Sequence, residues 1–580
     1  MRRGAGALAA LLACIVAPWL LPTFWVTLFG YVGMAAMVAL GLVLLTGISG
    51  QTSFGQASFV GLAAYATALL SKGGYSPFLG LLAGLMLTGT VAWLLGLITA
   101  RLSGHFLALM SVAWGISFFS LFGTLPPLHG FNGIGNIPPL PFATDRRMNL
   151  VLIWALLVGL IVVSANLMDS RTGRAIRTLN GAWMMGESTG VDTVGLSRAV
   201  FVIAALYAGL AGWLFAHFQR FINPTPFSLD ASIDYLFMVI IGGADRLGGA
   251  VLGAALVTVL RDQFNDWIPR LTGRAGDFEL LVFSVVVILL LQRAPAGLLP
   301  MLDRLLPRAA PRRRPAVAGL TPSRGAQAGA ELLRVESVTR MFGGLAANQN
   351  ISFSVNAAEI VALIGPNGAG KTTLFNVISG IIAPSAGRVR LFGADGARLP
   401  PRRVAAAGLA RTFQHTKLLG ARSVLENIAI GAHLSGRAGI ARSMLRLERA
   451  EESRLIAEAM HQAARVGLGD LLDTPAGDLP LGRQRVVEIA RALCQRPRLV
   501  LLDEPAAGLR LAEKEHLAAL LRQLRDEGMG VLLVEHDMDF VMGLADRVVV
   551  MDFGQKIADG PPERVQADPA VLEAYLGGVA

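Results

Sequence analysis

The chain has 580 residues, of which 53% are hydrophobic and only 16% charged, against about 25% charged in soluble domains. With a mean hydropathy of +0.56 a wholly soluble or disordered protein is excluded, and the length calls for more than one domain. The net charge of +11 is not a basic groove for nucleic acid: residues 1–300 carry 16 Lys/Arg against 11 Asp/Glu, residues 301–330 carry 6 against 1, and residues 331–580 carry 29 against 28, a pattern that fits positive residues held on the cytoplasmic side of a bilayer.

Residues 1–300 read as a polytopic α-helical membrane domain. Apolar stretches of about 20 residues, the length that crosses a ~30 Å hydrocarbon core as a helix, fall near 4–21, 24–46, 52–71, 77–100, 104–123, 148–168, 198–218 and 278–297. The stretch 232–262 is too long for one ordinary span and is interrupted by Gly242-Gly243-Ala244-Asp245-Arg246-Leu247-Gly248-Gly249, so two short or half-spanning helices around a break are expected, giving about ten segments. Parity agrees. Arg2 and Arg3 place the amino terminus inside, and six crossings return the chain inside at Asp169, where Arg171, Arg174, Arg177 and Arg198 cluster as the positive-inside rule expects. The same topology leaves Arg146, Arg147, Arg261, Arg270 and Arg274 outside. The first span is expected to be an uncleaved anchor, because the apolar run passes the lipoprotein-like Leu11-Leu12-Ala13-Cys14 and continues to Leu21. The two cysteines, Cys14 and Cys494, have no partners at metal-ligand spacing, which excludes a disulfide framework and a structural zinc site.

Glycine-rich interruptions near 47–61 and 242–253 have two readings. They open helix ends and backbone groups at mid-membrane depth for a polar substrate, or they let helices pack closely through small residues. Residues 301–330 hold Arg304, Arg308, Arg312, Arg313, Arg314 and Arg324 among prolines and alanines. They read as a cytoplasmic linker, a solvated tether or one drawn to anionic membrane lipid.

Residues 331–580 read as an α/β P-loop NTPase domain. Strand-like Ile360-Val361-Ala362-Leu363-Ile364 runs into Gly365-Pro366-Asn367-Gly368-Ala369-Gly370-Lys371-Thr372-Thr373 and then into a helical pattern, the strand–loop–helix context that a phosphate loop requires. Its glycines let backbone N–H groups wrap phosphate oxygens, Lys371 supplies charge to the outer phosphates of ATP, and Thr372 offers a hydroxyl to Mg²⁺. A second apolar strand, Leu499-Val500-Leu501-Leu502, ends in Asp503-Glu504; two carboxylates delivered to the phosphate end suit one Mg²⁺-directed acid, Asp503, and one that polarises the attacking water, Glu504.

In motif order and over their full length, residues 331–580 resemble the ATPase subunit of ATP-binding cassette (ABC) transporters. The resemblance implies that Phe342 stacks on adenine, that Gln414 in Arg411-Thr412-Phe413-Gln414 senses Mg²⁺ and the membrane domain, and that His536 in Val534-Glu535-His536-Asp537 lies near the γ-phosphate. It further implies that the signature residues Gly482, Arg483 and Gln484 meet a partner's ATP. The signature here departs from the family pattern as Leu479-Pro480-Leu481-Gly482-Arg483-Gln484-Arg485, and Ala507-Gly508-Leu509-Arg510 carries arginine where Asp or Asn is usual. Two unequal ATP sites are therefore expected.

Within that group the chain is most similar to the branched-chain amino acid importers. Glu535-His536-Asp537-Met538 and the ending Ala574-Tyr575-Leu576-Gly577 look like one of their ATPase types, while Thr46-Gly47-Ile48-Ser49-Gly50-Gln51-Thr52-Ser53-Phe54-Gly55-Gln56-Ala57 and Ser170-Arg171-Thr172-Gly173-Arg174-Ala175 look like one of their permease types. The resemblance implies a fused permease and ATPase in a bacterial inner membrane. Its expected partners are a second permease and a second ATPase, or another copy of itself, and a periplasmic binding protein that delivers an amino acid. It also implies a short coupling helix in the loop 169–197, around Glu187, docking near Gln414. Rival readings are import of amides, urea or aromatic acids, an ABC exporter, and a membrane-anchored regulatory ATPase.

Overall fold

The structure, a computed structural model, describes residues 15–99, 105–272, 278–303, 328–396 and 398–576. Most of the expected first span, Cys14, Arg274 and the linker arginines from Arg304 to Arg324 lie outside the described residues.

The membrane half is built from α1 (Thr23–Leu42, prolonged by π-helical turns Val43–Ile48), α2 (Gln56–Lys72), α3 (Pro77–Thr99), α4 (His105–Thr124), α5 (Arg146–Met168), α6 (Arg171–Thr178), α7 (Trp183–Ser188), α8 (Thr193–Gln219), α9 (Leu229–Gly242), α10 (Leu247–Thr272), α11 (Phe278–Arg293) and α12 (Leu298–Asp303). Among the described residues, six of these are long and apolar enough to cross a bilayer. Their most apolar windows divide them by role: those of Thr23–Ile48 and Thr193–Gln219 are 83% and 72% buried, that of Pro77–Thr99 only 22%. The first two are therefore the centre of the bundle. The outer face of α3, with Leu82, Met86 and Ile98 exposed, is left for lipid or for a neighbouring subunit. A two-stranded ribbon, β1 (Ile134–Gly135) and β2 (Phe221–Ile222), closes the end of the bundle away from the ATPase.

The break in 232–262 falls at Gly243-Ala244-Asp245-Arg246 as expected, but only its first helix is short. α9 has 14 residues, whereas α10 has 26 and runs past position 262 to Thr272. The polar residues that end the apolar run do not end the helix, because Arg261 reaches back to pair with Asp234 of α9 and no glycine intervenes. The span expected over 52–71 likewise starts later, at Gln56.

For the glycine-rich interruptions the structure shows close packing. A Cβ at Gly47 would lie 1.7 Å from the Ala244 carbonyl oxygen, and one at Gly253 equally close to that of Met238, so backbones touch where only glycine fits. The 243–246 break packs on Gly297 and Pro300, just ahead of the linker, and so lies toward the ATPase end rather than at mid-depth. Among the interruptions, non-helical backbone enters the bundle at 49–55.

The ATPase half begins with β3 (Glu331–Phe342) and β4 (Leu345–Asn356), followed by β5 (Ile360–Ile364), α13 (Lys371–Ile378), β6 (Ala386–Leu391), β7 (Ala394–Asp395), α14 (Pro401–Ala407) and β8 (Leu409–Arg411). Then come α15 (Val424–Gly431), α16 (Ile440–Met444), α17 (Arg449–Arg465), α18 (Leu481–Cys494), β9 (Leu499–Asp503), α19 (Leu511–Asp526) and β10 (Gly530–Val534). The domain finishes with α20 (Met538–Met542), β11 (Arg547–Asp552), β12 (Gln555–Gly560), α21 (Pro562–Gln566) and α22 (Pro569–Leu576). β3, β4, β6 and β7 form an antiparallel sheet of order β4-β3-β6-β7; the main sheet has the order β12-β11-β5-β10-β9-β8 and is parallel except at its β12 edge.

Along β5, alternate residues enter opposite layers: Val361 and Leu363 join the cluster with Leu374 and Phe375 of α13, while Ile360, Ala362 and Ile364 join that with Leu517 and Leu521 of α19. A strand buried on both faces reads as a continuous apolar run for this reason. α15, α17 and α18 form a separate helical layer with its own core, including Ile428, Leu455 and Val487.

Candidate active site and domain interface

β5, β10 and β9 are neighbours in the sheet, so their carboxyl ends bring three distant segments together: the loop after Ile364, the His536 turn after Val534 and the Asp503-Glu504 pair. This is where parallel α/β sheets bind ligands. In the loop, Gly370 has φ +90, and a Cβ there would lie 2.1 Å from the Ala347 carbonyl oxygen. It precedes α13 without a side-chain cap, which leaves first-turn N–H groups open to phosphate. Lys371 Nζ donates to the carbonyls of Gly365 (2.6 Å) and Pro366 (2.8 Å). Burial pulls its pKa below the ordinary value, against the opposing pull of Glu504 and Asp503.

Asp503 ends β9 and is almost fully enclosed; its carboxylate lies 3.4 Å from Arg411 Nη2, whose side chain is equally enclosed. Burial pushes the Asp503 carboxyl up, with Arg411 pulling the other way. Glu504 sits at φ +50, a left-handed conformation that costs a non-glycine residue about 1–3 kcal/mol. It is held there by its N–H on the Val534 carbonyl (2.9 Å) and by Arg485, which donates to its carbonyl. Its carboxylate accepts from Gln414 Nε2 at 3.1 Å.

Phe342, Asn367, Gly368, Ala369, Gly370, Lys371, Thr372, Thr373, Gln414 and Glu504 line one cleft of about 460 Å³. Phe342 is half-exposed at its mouth, with the Arg340 guanidinium 4.6 Å from its ring centroid. The sequence reading missed a second aromatic there, Phe553, which is 87% exposed. It also missed Arg411 and Arg485, whose work depends on contacts with residues distant in sequence, Asp503 and Glu504. His536 is adjacent but outside this lining: its ring is 67% exposed, with Nδ1 3.9 Å from Glu535. Glu535 is buried and accepts from the Ala506 (2.6 Å) and His536 (3.2 Å) N–H groups, so it fixes the turn that carries the histidine.

The signature residues are not at this cleft. Pro480 precedes α18, and Gln484 Nε2 donates to the Leu479 carbonyl at 2.8 Å. Arg483 lines a different cleft of about 490 Å³ with Glu513 and His516. The Arg510 N–H donates to Glu513 at the start of α19 (2.9 Å).

The loop 169–197 folds into α6 and α7, and both meet the ATPase. Ala182 and Met185, at α7, pack with Phe413 and Ile430, so the permease touches the residue before Gln414. Glu187, by contrast, serves its own loop, accepting from Thr193 Oγ1 at 2.8 Å. A further contact was not legible in the sequence, where the α6 arginines read as topology signals and as part of a permease-like motif. Arg174 pairs with Glu452 of α17, and the side chains are only 6% and 18% exposed. The Arg171 backbone N–H donates to the same carboxylate (3.1 Å), while its guanidinium donates to the carbonyls of His433 (2.6 Å) and Ala438 (2.7 Å). Thr172 and Ser443 hydroxyls lie 3.2 Å apart, and Asn166 Nδ2 donates to the Met444 carbonyl at 3.0 Å. A third point joins Asp192 to Arg402.

Comparison with known proteins agrees with this architecture. Residues 24–291 match the family described as branched-chain amino acid transport system / permease component, 348–507 the ABC transporter family, and 555–580 the branched-chain amino acid ATP-binding cassette transporter family. The high-affinity branched-chain amino acid transport ATP-binding protein BraF of Pseudomonas aeruginosa is 39% identical over 249 residues, 42% of this chain and 98% of its own. LivG of Escherichia coli, described in the same words, is also 39% identical over the same shares. A solved nucleotide-free ATP-binding cassette from an ABC transporter is 33% identical over 42% of this chain and 98% of its own, with a TM-score of 0.39. The carboxyl-terminal half binds ATP and couples its hydrolysis to transport, from the cytoplasmic side of a membrane. The chain belongs to the branched-chain amino acid ABC transporter family and carries both a permease domain and an ATPase domain on one polypeptide.

Proposed function

We propose that the chain is half of an importer that takes branched-chain or related amino acids from a periplasmic binding protein across a bacterial inner membrane. A second permease and a second ATPase, or another copy of this chain, completes it. The observation that carries this reading is the junction at Phe413-Gln414: the permease loop packs on Phe413 and the next residue bonds the carboxylate of Glu504 at 3.1 Å. A permease loop in contact with the residue beside a hydrolytic carboxylate is what a coupled engine needs, and a membrane-anchored regulatory ATPase that transports nothing has no use for it.

Each residue at the cleft then has a role. Phe342 offers its exposed ring to adenine. The residues from Gly365 to Thr373 present backbone N–H groups to the phosphates, and Lys371 exchanges its two carbonyl partners for the outer phosphates. Thr372, Gln414 and Asp503 form an all-oxygen donor set of two neutral groups and one carboxylate, which suits Mg²⁺; when bound, that ion neutralises charge developing on the phosphates. Such a cation beside Asp503 would hold its carboxyl ionised against the burial that pushes it up. Glu504 polarises the attacking water, and His536 closes on the γ-phosphate from its exposed position. Gly482, Arg483 and Gln484 face the partner's ATP, and Pro480 and Arg483 make that site unequal to this chain's own.

The test is ATP hydrolysis by the chain in lipid, alone and with its candidate partners, with and without leucine-loaded binding protein. Glu504→Gln is expected to bind ATP but to lose hydrolysis by at least ~10²-fold, and loaded binding protein to stimulate the wild type. Hydrolysis indifferent to loaded binding protein in the complete assembly would overturn the importer reading.

A further inference from the structure

Among the buried polar side chains of the membrane half that have no partner, Gln56, Ser58 and Trp114 adjoin the start of α2. The chain has already traversed the bundle as α1 and its π-helical extension to Ile48; residues 49–55 then lead into the interior as non-helical backbone to Gly55, the residue that precedes α2. α8 fixes the depth of that start: the Val60 carbonyl packs against Gly212, and the Phe59 ring meets that of Phe201 at 5.7 Å. The first turn of α2 therefore lies beside the middle of a 27-residue helix.

Gln56 is 1% exposed, and neither its Nε2 nor its Oε1 has a hydrogen-bond partner. Trp114 of α4, 7% exposed, also has an unpartnered Nε1. That nitrogen lies directly over Gly55, where a Cβ would be 1.9 Å away. Of the neighbouring polar groups, the Phe54 N–H donates to Ser111 Oγ at 2.8 Å and the Ala57 N–H to Ser232 Oγ at 3.1 Å, whereas the buried Ser58 Oγ is unpartnered as well. The other side is aromatic, with Trp114 and Phe59 each 5.7 Å from Phe201.

Buried amide and indole groups are nearly always bonded. We propose that Gln56 and Trp114, at the amino terminus of α2, bind the charged end of the transported amino acid, with its aliphatic side chain against Phe59 and Phe201. The site rests on the amino-acid transport reading above. Trp114 Nε1–H and Gln56 Nε2–H donate to the carboxylate, and Gln56 Oε1 accepts from the ammonium. In this conformation the side chains are closed over the site, and alternating access has to part them for binding.

The experiment measures binding of radiolabelled leucine to the assembled complex in lipid without binding protein, and uptake with it. Two competitors separate the charged groups: leucinol lacks the carboxylate and 4-methylpentanoic acid lacks the ammonium. Wild type is expected to bind leucine saturably, with both competitors at least ~10-fold weaker, and Gln56→Leu and Trp114→Phe each to weaken leucine binding by about tenfold or more. A merely structural glutamine predicts the opposite pair of results: a shifted melting temperature for Gln56→Leu with leucine binding unchanged. Binding and uptake by both variants equal to wild type would overturn the site and leave the transport reading intact. A wild-type complex that takes up no branched-chain amino acid would overturn the transport reading itself.

Discussion

Substituting Glu452→Gln tests whether the α6 contact holds the ATPase to its own permease. The carboxylate accepts from the Arg171 backbone N–H and pairs with Arg174, whose side chain is 6% exposed. Breaking one side of a buried pair costs about 3–5 kcal/mol because the remaining charge stays enclosed. Here glutamine keeps one acceptor oxygen, and Glu451 remains 4.0 Å from Arg171, so about 2–3 kcal/mol is expected, a shift of roughly 30- to 150-fold in the docked–undocked equilibrium. Thr172 and Ser443, with hydroxyls 3.2 Å apart, provide the reporter: as a cysteine pair they should cross-link within one chain, and Glu452→Gln should slow that cross-link and lower the leucine transported per ATP hydrolysed. Replacing both partners, Arg174→Met with Glu452→Leu, should recover part of the loss, since an apolar pair leaves no buried charge behind. An unchanged cross-linking rate together with unchanged coupling in Glu452→Gln would refute the reasoning.

Acidification should loosen the same interface. Burial and the neighbouring Arg171 and Arg174 hold the His433 pKa down at about 3 from an ordinary 6.5, so the undocked ring protonates first; docking is fully favoured above about pH 6.5 and loses up to ~1.4 kcal/mol per unit as the pH falls toward 3. The cross-linking rate between pH 7.5 and 5 measures this, and His433→Asn should remove the slope. Gly370→Ala should abolish ATP binding, read by nucleotide titration, because the left-handed backbone and the Ala347 carbonyl both exclude a Cβ, at a combined cost above ~2 kcal/mol. Gly253→Val should prevent recovery of a folded membrane half, read as lost monodispersity in detergent, since the Met238 carbonyl occupies the space of any side chain at that position.

What the sequence made legible follows from how locally each feature is written. The residues from Gly365 to Thr373 carry a complete phosphate cradle in consecutive positions, so strand, loop and helix could be placed before any contact was known. Asp503-Glu504 needed its apolar strand as context. The Gln414–Glu504 bond joins residues 90 positions apart and was foreseeable only through the family resemblance. Arg171 and Arg174 carried a competing explanation: the positive-inside rule accounts for arginines at position 171 or 174 whether or not they touch anything, and so it concealed their pairing with a carboxylate 278 residues away. The glycine interruptions were ambiguous because an open helix end and a tight backbone contact need the same residue; only the neighbour decides, and at Gly47 and Gly253 the neighbour is a carbonyl oxygen. Helix α10 outran its apolar stretch because hydropathy marks where lipid ends, and past that point Arg261 pairs with Asp234 while its backbone stays helical.

Fusion changes what the domain contact must achieve. For separate subunits, docking has to repay the lost translational and rotational freedom of a second body, about 4–15 kcal/mol. On one chain the partner is already present at a millimolar effective concentration set by the tether, so a contact worth a few kcal/mol suffices to dock and is weak enough to rearrange during a cycle. The three points at Glu452, Phe413 and Arg402 then act by orientation more than by affinity. They bring α7 against the segment that ends in Gln414, so movement of the permease reaches the residue hydrogen-bonded to Glu504. The signature residues lie away from the Glu504 cleft, and Arg483 lines a different one. By that argument this chain's permease is tied, through Phe413, to the Gln414–Glu504 pair of its own ATPase.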